Sequence, residues 1–163
     1  MNIFRLIALT LLVITSFTSQ AIERQLGENW CWAASIQDVL RQANIYQSQQ
    51  QIATVLDGRP IDRPAHVNEV VGLLNYYQFR AWVVNRPASP NELYQTLASG
   101  WKLIAFVRPS NGAVGHFIVL QRMNNSGGIE VSDPWTGQTY VNSLNQLYSQ
   151  WRWGASVVVG APM

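Results

Sequence analysis

The order of the hydrophobic patterns constrains this chain more than any other feature. Apolar residues recur at helical spacing early in the sequence and at strand spacing later. From Trp32 they fall at Ile36, Val39, Leu40 and Ala43, one stripe of a helix. Ser48 with Gln51, then Ile52, Val55, Leu56 and Gly58, reads as a second helix with a capping box and a glycine stop. A third helix is predicted over 67–77, and Ser89-Pro90 opens a fourth that runs through Leu93 and Leu97 to Gly100. Strands are predicted at 79–84, 101–107, 117–123, 129–132 and 140–141, with a short helix at 144–148 and a closing strand at 155–159. Helices lead and strands trail, which predicts an α+β fold with an N-terminal helical part packed on a C-terminal antiparallel sheet. No repeat, low-complexity tract or linker divides the chain.

Residues 1–21 read as a secretory signal peptide. Asn2 and Arg5 make a short polar and basic start, Leu6 to Ile14 is almost wholly apolar, and Ser19-Gln20-Ala21 offers small residues at the positions a signal peptidase reads. The apolar run is too short to span a bilayer and no stop-transfer pattern follows, so a membrane anchor is the weaker alternative. No stable membrane insertion is expected once the segment is removed. Removing 21 of the 163 residues leaves 142, from Ile22 to Met163, the size of one domain. Without Arg5, ten of the 11 Lys plus Arg remain against 9 Asp plus Glu, so nothing in the charge balance points to nucleic acid. The expected destination is secreted or periplasmic, and a monomer is the default.

Cysteine usage narrows the chemistry. An exported protein of this size often carries an even set of half-cystines, whereas this chain has one Cys. A lone thiol outside the cytosol is either buried and inert or kept for its reactivity, and its surroundings decide. Cys31 sits in Gln25-Leu-Gly-Glu-Asn-Trp-Cys-Trp-Ala-Ala-Ser35, where a loop turns into the first helix, with Asn29 the expected N-cap. In the first turn of a helix, unpaired amides and the positive end of the dipole stabilise a thiolate. The same amides can hold an oxyanion developing on a carbonyl that the sulfur attacks. Gln25, six residues upstream across a turn containing Gly27, either lies on the surface or folds back to donate a second hydrogen bond to that oxyanion.

The sequence has two His residues. His66 opens the third predicted helix, where a solvated or capping role is expected. His116 stands in Gly115-His-Phe-Ile-Val-Leu120, where a loop feeds a β-branched strand and can present the imidazole at the rim of a sheet. Asp133 ends the next predicted strand, and a hairpin through Asn124 to Gly128 brings it back beside His116. A carboxylate there fixes the imidazole tautomer and leaves the other ring nitrogen for Cys31. By itself Asp133 would be an Asp-Pro turn residue.

Gln-x5-Cys-Trp-Ala-Ala resembles the catalytic start of papain-like cysteine peptidases. Gly-His-Phe and Asp-Pro look closest to the bacteriocin-leader-processing peptidase domains of ABC transporters and their stand-alone relatives, in which Asp replaces the Asn of papain. Cys-Trp-Ala-Ala is also similar to papain-fold effector proteases of bacteria that infect plants. The resemblance implies a papain-like fold, Cys31 as nucleophile, His116 and Asp133 completing a triad, Gln25 in the oxyanion hole and a peptide or protein substrate. The sequence shows neither a transporter segment nor an inhibitory pro-segment, so leader processing and autoactivation are not carried over.

The site is expected in a cleft between helices and sheet, shaped by loops 59–66, 85–90 and 109–115. All seven Trp (30, 32, 82, 101, 135, 151, 153) follow the signal segment, which implies a well-packed core or an aromatic-lined cleft. Trp32 is expected in the core, with Trp30 a candidate for the groove. Trp135 either shields the His116–Asp133 hydrogen bond or, by default, is a core residue. One Cys and two separated His make no metal-ligand set, His66 with Asp62 is too thin a pair, and no phosphate-binding loop occurs, so no cofactor is expected. Three classes stay open: an endopeptidase, an amidase, transglutaminase or deamidase with the same triad, and a non-catalytic binding module.

Overall fold

The computed structural model describes residues 21–110, 112 and 114–163; the predicted signal peptide, apart from Ala21, lies outside them. The elements are α1 (Cys31–Gln42), α2 (Gln49–Asp57), α3 (Val67–Tyr76), β1 (Phe79–Val84), α4 (Pro90–Ala98), β2 (Lys102–Pro109), β3 (His116–Met123), β4 (Ile129–Asp133), β5 (Gln138–Asn142), α5 (Leu144–Gln150) and β6 (Trp151–Pro162). Ser48 caps α2 in a capping box with Gln51, and Gly58 ends the helix at φ 72°, a conformation that favours glycine. Ser89 and Glu92 do the same for α4, with Pro90 at its first turn.

The six strands form one antiparallel sheet in the order β1-β6-β2-β3-β4-β5. Strand alternation gives the sheet two apolar faces. Ile104, Phe117, Val119 and Val157 meet α1 to α3 on one side. Leu103, Ile118, Leu120, Val131 and Trp153 meet the α4 and α5 side on the other. The sheet is therefore covered on both faces, not only by the leading helices. The largest departure from the predicted elements is β6, which begins at Trp151 and extends to Pro162. Its middle is fixed by pairing with β1 on one side and β2 on the other, a non-local constraint absent from residue periodicity. Among the described residues no helix is long and apolar enough to cross a membrane.

Two buried polar side chains, Gln49 and Gln37, anchor the segment ahead of α1. Gln49 donates to Arg24 O at 3.0 Å and to Gln37 Oε1 at 3.1 Å, and accepts from Leu26 N–H at 2.8 Å. Gln37 in turn donates to Gln47 O. Buried amides with this many partners fix backbone position as well as satisfying it. Ile22 is 3% exposed and joins the core, so the chain is packed from the start of this segment.

Candidate active site

The backbone around Cys31 is held from outside the helix. Asp62 accepts from Glu28 N–H at 3.0 Å and Asn29 N–H at 2.9 Å, and Trp30 N–H turns back to Gly27 O. These bonds overturn the expectation of an Asn29 cap. The helix starts at Cys31, Trp30 occupies the cap position, and no side chain caps it. A cap would have consumed an amide of the first turn; without one, those amides stay available to an anion at the helix start.

Trp30 and Trp32 point away from the groove. Each is buried, and each donates its indole N–H at 2.9 Å to the loop before α3, Trp30 to Ile61 O and Trp32 to Arg63 O. Arg63 itself bridges Asp57 at 2.7 Å and Glu69 at 2.8 Å, joining the end of α2 to the start of α3. The candidate role of Trp30 in the groove is thereby corrected: burial and its indole bond make it a brace.

His116 opens β3 and Asp133 closes β4, brought side by side by the predicted hairpin, whose turn places Gly127 at φ 81°. His116 Nε2–H donates to Asp133 Oδ1 at 2.7 Å, and Cys31 lines the same cavity as the ring. Asp133 Oδ1 also accepts from Trp135 N–H at 2.9 Å. Burial pulls the imidazole toward neutrality, but the bonds to Asp133 and Cys31 outweigh it and push His116 from the ordinary 6.5 up to about 9. Behind Asp133, Ser132 Oγ accepts from Gln121 Nε2 at 3.0 Å and meets Thr139 Oγ1 at 2.8 Å. Gln121 donates also to the buried Asp38 of α1, so one polar network crosses α1, β3, β4 and β5.

Gln25 lines the same cavity as Cys31, tied by its N–H to Pro134 O at 2.9 Å. Its side-chain amide, however, donates to Gly27 O at 2.9 Å and to Glu28 O at 2.7 Å, and its Oε1 is buried without a partner. The structure thus brings Gln25, Cys31, His116 and Asp133 to one cavity of about 590 Å³, with the Gln25 donor turned toward its own loop.

The cavity walls were only partly foreseen. Pro64 to His66 and Pro109, Val114 and Gly115 contribute, as expected of loops 59–66 and 109–115, but loop 85–90 does not. That loop precedes α4 and borders a different pocket, with Arg86 and Ala88 in its wall. Trp135 is 58% exposed at the rim, edge-on to His116 with ring centroids 6.4 Å apart, which overturns the core default. Sequence reasoning missed Trp151, whose ring is 6.1 Å from His116, because the start of β6 was placed too late. It also missed Phe106, which has no local signal beyond strand alternation.

Phe106 explains Gly115. A Cβ at Gly115 would stand 2.6 Å from Phe106 Cε2, and that ring is already packed 5.0 Å from Phe117. Gly115→Ala is expected to displace Phe106 and the adjoining His116, lowering kcat/KM roughly tenfold to a hundredfold while costing about 1–3 kcal/mol of stability. Steady-state kinetics beside a thermal melt would check this; unchanged kinetics would mean that Phe106 yields freely.

An α+β fold with a helix-start Cys facing a His–Asp pair across a cleft defines the class of papain-like cysteine peptidases. Solved structures of that class resemble this chain. The peptidase domain of Streptococcus ComA, a bifunctional ABC transporter involved in a quorum-sensing pathway, aligns with TM-score 0.67 at 14% identity over 87% of this chain and 99% of that one. A double-glycine-motif protease from an AMS/PCAT transporter, solved with the leader peptide, aligns with TM-score 0.65 at 16% identity over 90% and 96%. The N-terminal peptidase C39-like domain of the toxin secretion ATP-binding protein from Vibrio parahaemolyticus gives TM-score 0.53 at 16% identity over 82% and 98%. At such identities the likeness shows the fold. No curated protein matches. The model of the Peptidase_C39-like family matches residues 16–157, and the chain belongs to that family of cysteine-type peptidases.

Proposed function

We propose that the protein is an exported peptidase that cleaves peptide amide bonds through an acyl-thioenzyme, with Cys31, His116 and Asp133 as a triad and Gln25 in the oxyanion hole. The observation that carries this reading is the His116 ring, held by Asp133 at 2.7 Å through Nε2 in the cavity that Cys31 also lines. An imidazole raised to about 9 is protonated at neutral pH and so carries the proton that a leaving amine needs.

The sulfur attacks the substrate carbonyl, and the negative charge passes to its oxygen, which the Cys31 N–H and neighbouring helix-start amides receive. Gln25 joins them when its amide turns from Gly27 O and Glu28 O to the oxyanion. The C–N bond breaks as His116 gives its proton to the leaving amine, and the acyl group remains on sulfur. Water then enters, His116 takes its proton, hydroxide adds to the thioester, and collapse expels the thiolate beside the re-formed imidazolium. Asp133 holds the ring in place throughout.

A peptide substrate is supported by family membership and by the leader peptide bound to the AMS/PCAT protease. Export, to a periplasm or the medium, rests on the signal-like first 21 residues and one domain from Ile22 onward. Incubating the purified protein with proteome-derived peptides should generate new N-termini. Ammonia release or amine incorporation without new N-termini would instead assign the triad to deamidation or transglutamination. The kcat/KM profile should fall on its alkaline side near pH 9, as His116 loses the proton it delivers. The linked stability has the same sign: a raised folded-state pKa contributes fully below about 6.5 and is lost as pH rises through about 9. A flat profile through pH 10 would reject His116 as the acid.

A further inference from the structure

The groove does not end at the cavity beside Cys31. A second cavity, about 490 Å³, shares Ala65, His66, Phe106 and Arg108 with it and continues along β2 and β6 to Arg152. Arg108 and Arg152 are direct cross-strand partners. Two cations facing each other on neighbouring antiparallel strands repel, and a β-bulge creates the pairing. Phe106 pairs with Ala155, so an unbroken register would set Arg108 against Trp153; the extra residue in β6, at Gly154, moves Val107 onto Trp153 and Arg108 onto Arg152. Bulges of this kind re-aim side chains beside functional sites.

Nothing among the described residues neutralises the pair. Six of the chain's 9 acidic residues are in ion pairs, none with either arginine. Asp38 is bound by Gln121 and Gln42, and Asp62 by the amides of Glu28 and Asn29. Glu28 lines the cavity at Cys31 but not the second one. Arg152 spends one N–H on Gly112 O, and the Arg108 guanidinium lies 6.0 Å from the centroid of the Phe106 ring. Both side chains are exposed, with donors left for a carboxylate.

We propose that Arg108 and Arg152 form a carboxylate-binding subsite at the far end of the substrate groove, selecting peptides that place an acidic group there. The inference rests on the reading of the Cys31 cavity as the place where a peptide is cut. The carboxylate supplies the charge that the repelling pair lacks, and the apolar wall around Phe106 carries the intervening residues. Either an Asp or Glu side chain or a terminal carboxylate has the required chemistry.

The test scans one Glu, Gln or Lys along an otherwise neutral decapeptide, made with free and with amidated C-termini, against the full chain. At one position set apart from the cut, Glu is expected to raise kcat/KM about tenfold over Gln, and Lys to lower it. Survival of the preference in amidated peptides assigns the subsite to a side chain, and its confinement to free C-termini assigns it to the terminal carboxylate. The charge-reversed variant R108E/R152E is expected to prefer Lys over Glu, an inversion that a merely structural pair would not produce. Equal cleavage of all three peptides at every position, or a Glu preference that survives charge reversal, overturns the proposal. If no peptide is cut, the peptidase reading fails separately. Fluorescence anisotropy on Cys31→Ala then decides the subsite: at least fivefold tighter binding of Glu over Gln peptides supports it, and equal binding overturns it.

Discussion

Cys31→Ala is expected to lower peptide cleavage by about 10⁴-fold or more, the scale reached when the nucleophile of an acyl-transfer triad is removed. The reason lies in what surrounds the sulfur. Among the described residues no Ser, Thr or Lys side chain lines the cavity to take over from the sulfur. A water attacking directly would have to act without the acyl-thioenzyme that splits the reaction into two easier steps. Folding should survive the change, because Ala is a good residue for the first turn of a helix and Cys31 is 9% exposed at the edge of the core. The check pairs a cleavage assay with a thermal melt of the same preparation. Residual activity within tenfold of the parent, with the melt unchanged, would remove Cys31 from the mechanism. Cys31→Ser should be nearly as inactive, because a hydroxyl is not ionised by an imidazolium at this distance from its pKa.

The largest stability effect is expected from Trp32→Ala, which should cost roughly 4–5 kcal/mol. Trp32 is 0% exposed in the second position of α1, and its indole N–H is bound to Arg63 O. Truncation leaves a cavity between α1 and the loop before α3 and orphans that carbonyl. A single domain has only about 5–15 kcal/mol in total, so most of the margin could go. The functional consequence follows from topology, since the braced loop carries Pro64, Ala65 and His66 to the cavity wall. Urea denaturation with matched m-values measures the loss. Trp32→Phe keeps most of the packing and should cost about half as much. A loss below about 2 kcal/mol for Trp32→Ala would show that the loop is held chiefly by the Asp57–Arg63–Glu69 bridge.

The elements that were legible in the sequence are those whose causes are local. Ser48 with Gln51, Ser89 with Pro90, and the glycine at 58 act on atoms at most four residues away, so the chain states them directly. The same holds for the hairpin that returns Asp133 to His116, because a short turn between two alternating runs leaves little choice of partner. The Asn29 cap failed for the opposite reason. A carboxylate 33 residues onward, Asp62, holds the Asn29 backbone in the loop, and the helix begins one residue later, with Trp30 in the cap position. Trp135 misled in a similar way: its side chain had apolar area to bury, but the turn that presents Asp133 to His116 carries it to the surface.

Sequence alone therefore determined the α+β order, the helix-start thiol and the hairpin that sets Asp133 beside His116. Each depends on neighbours in the chain or on one hairpin. Tertiary structure decided the rest: which way the Gln25 amide points, how far β6 extends, that Trp151 stands by His116, and that a bulge at Gly154 sets Arg108 against Arg152. The last three depend on pairing between strands more than forty residues apart, where register is chosen by the whole buried face at once and a shift of one residue changes which side chains meet.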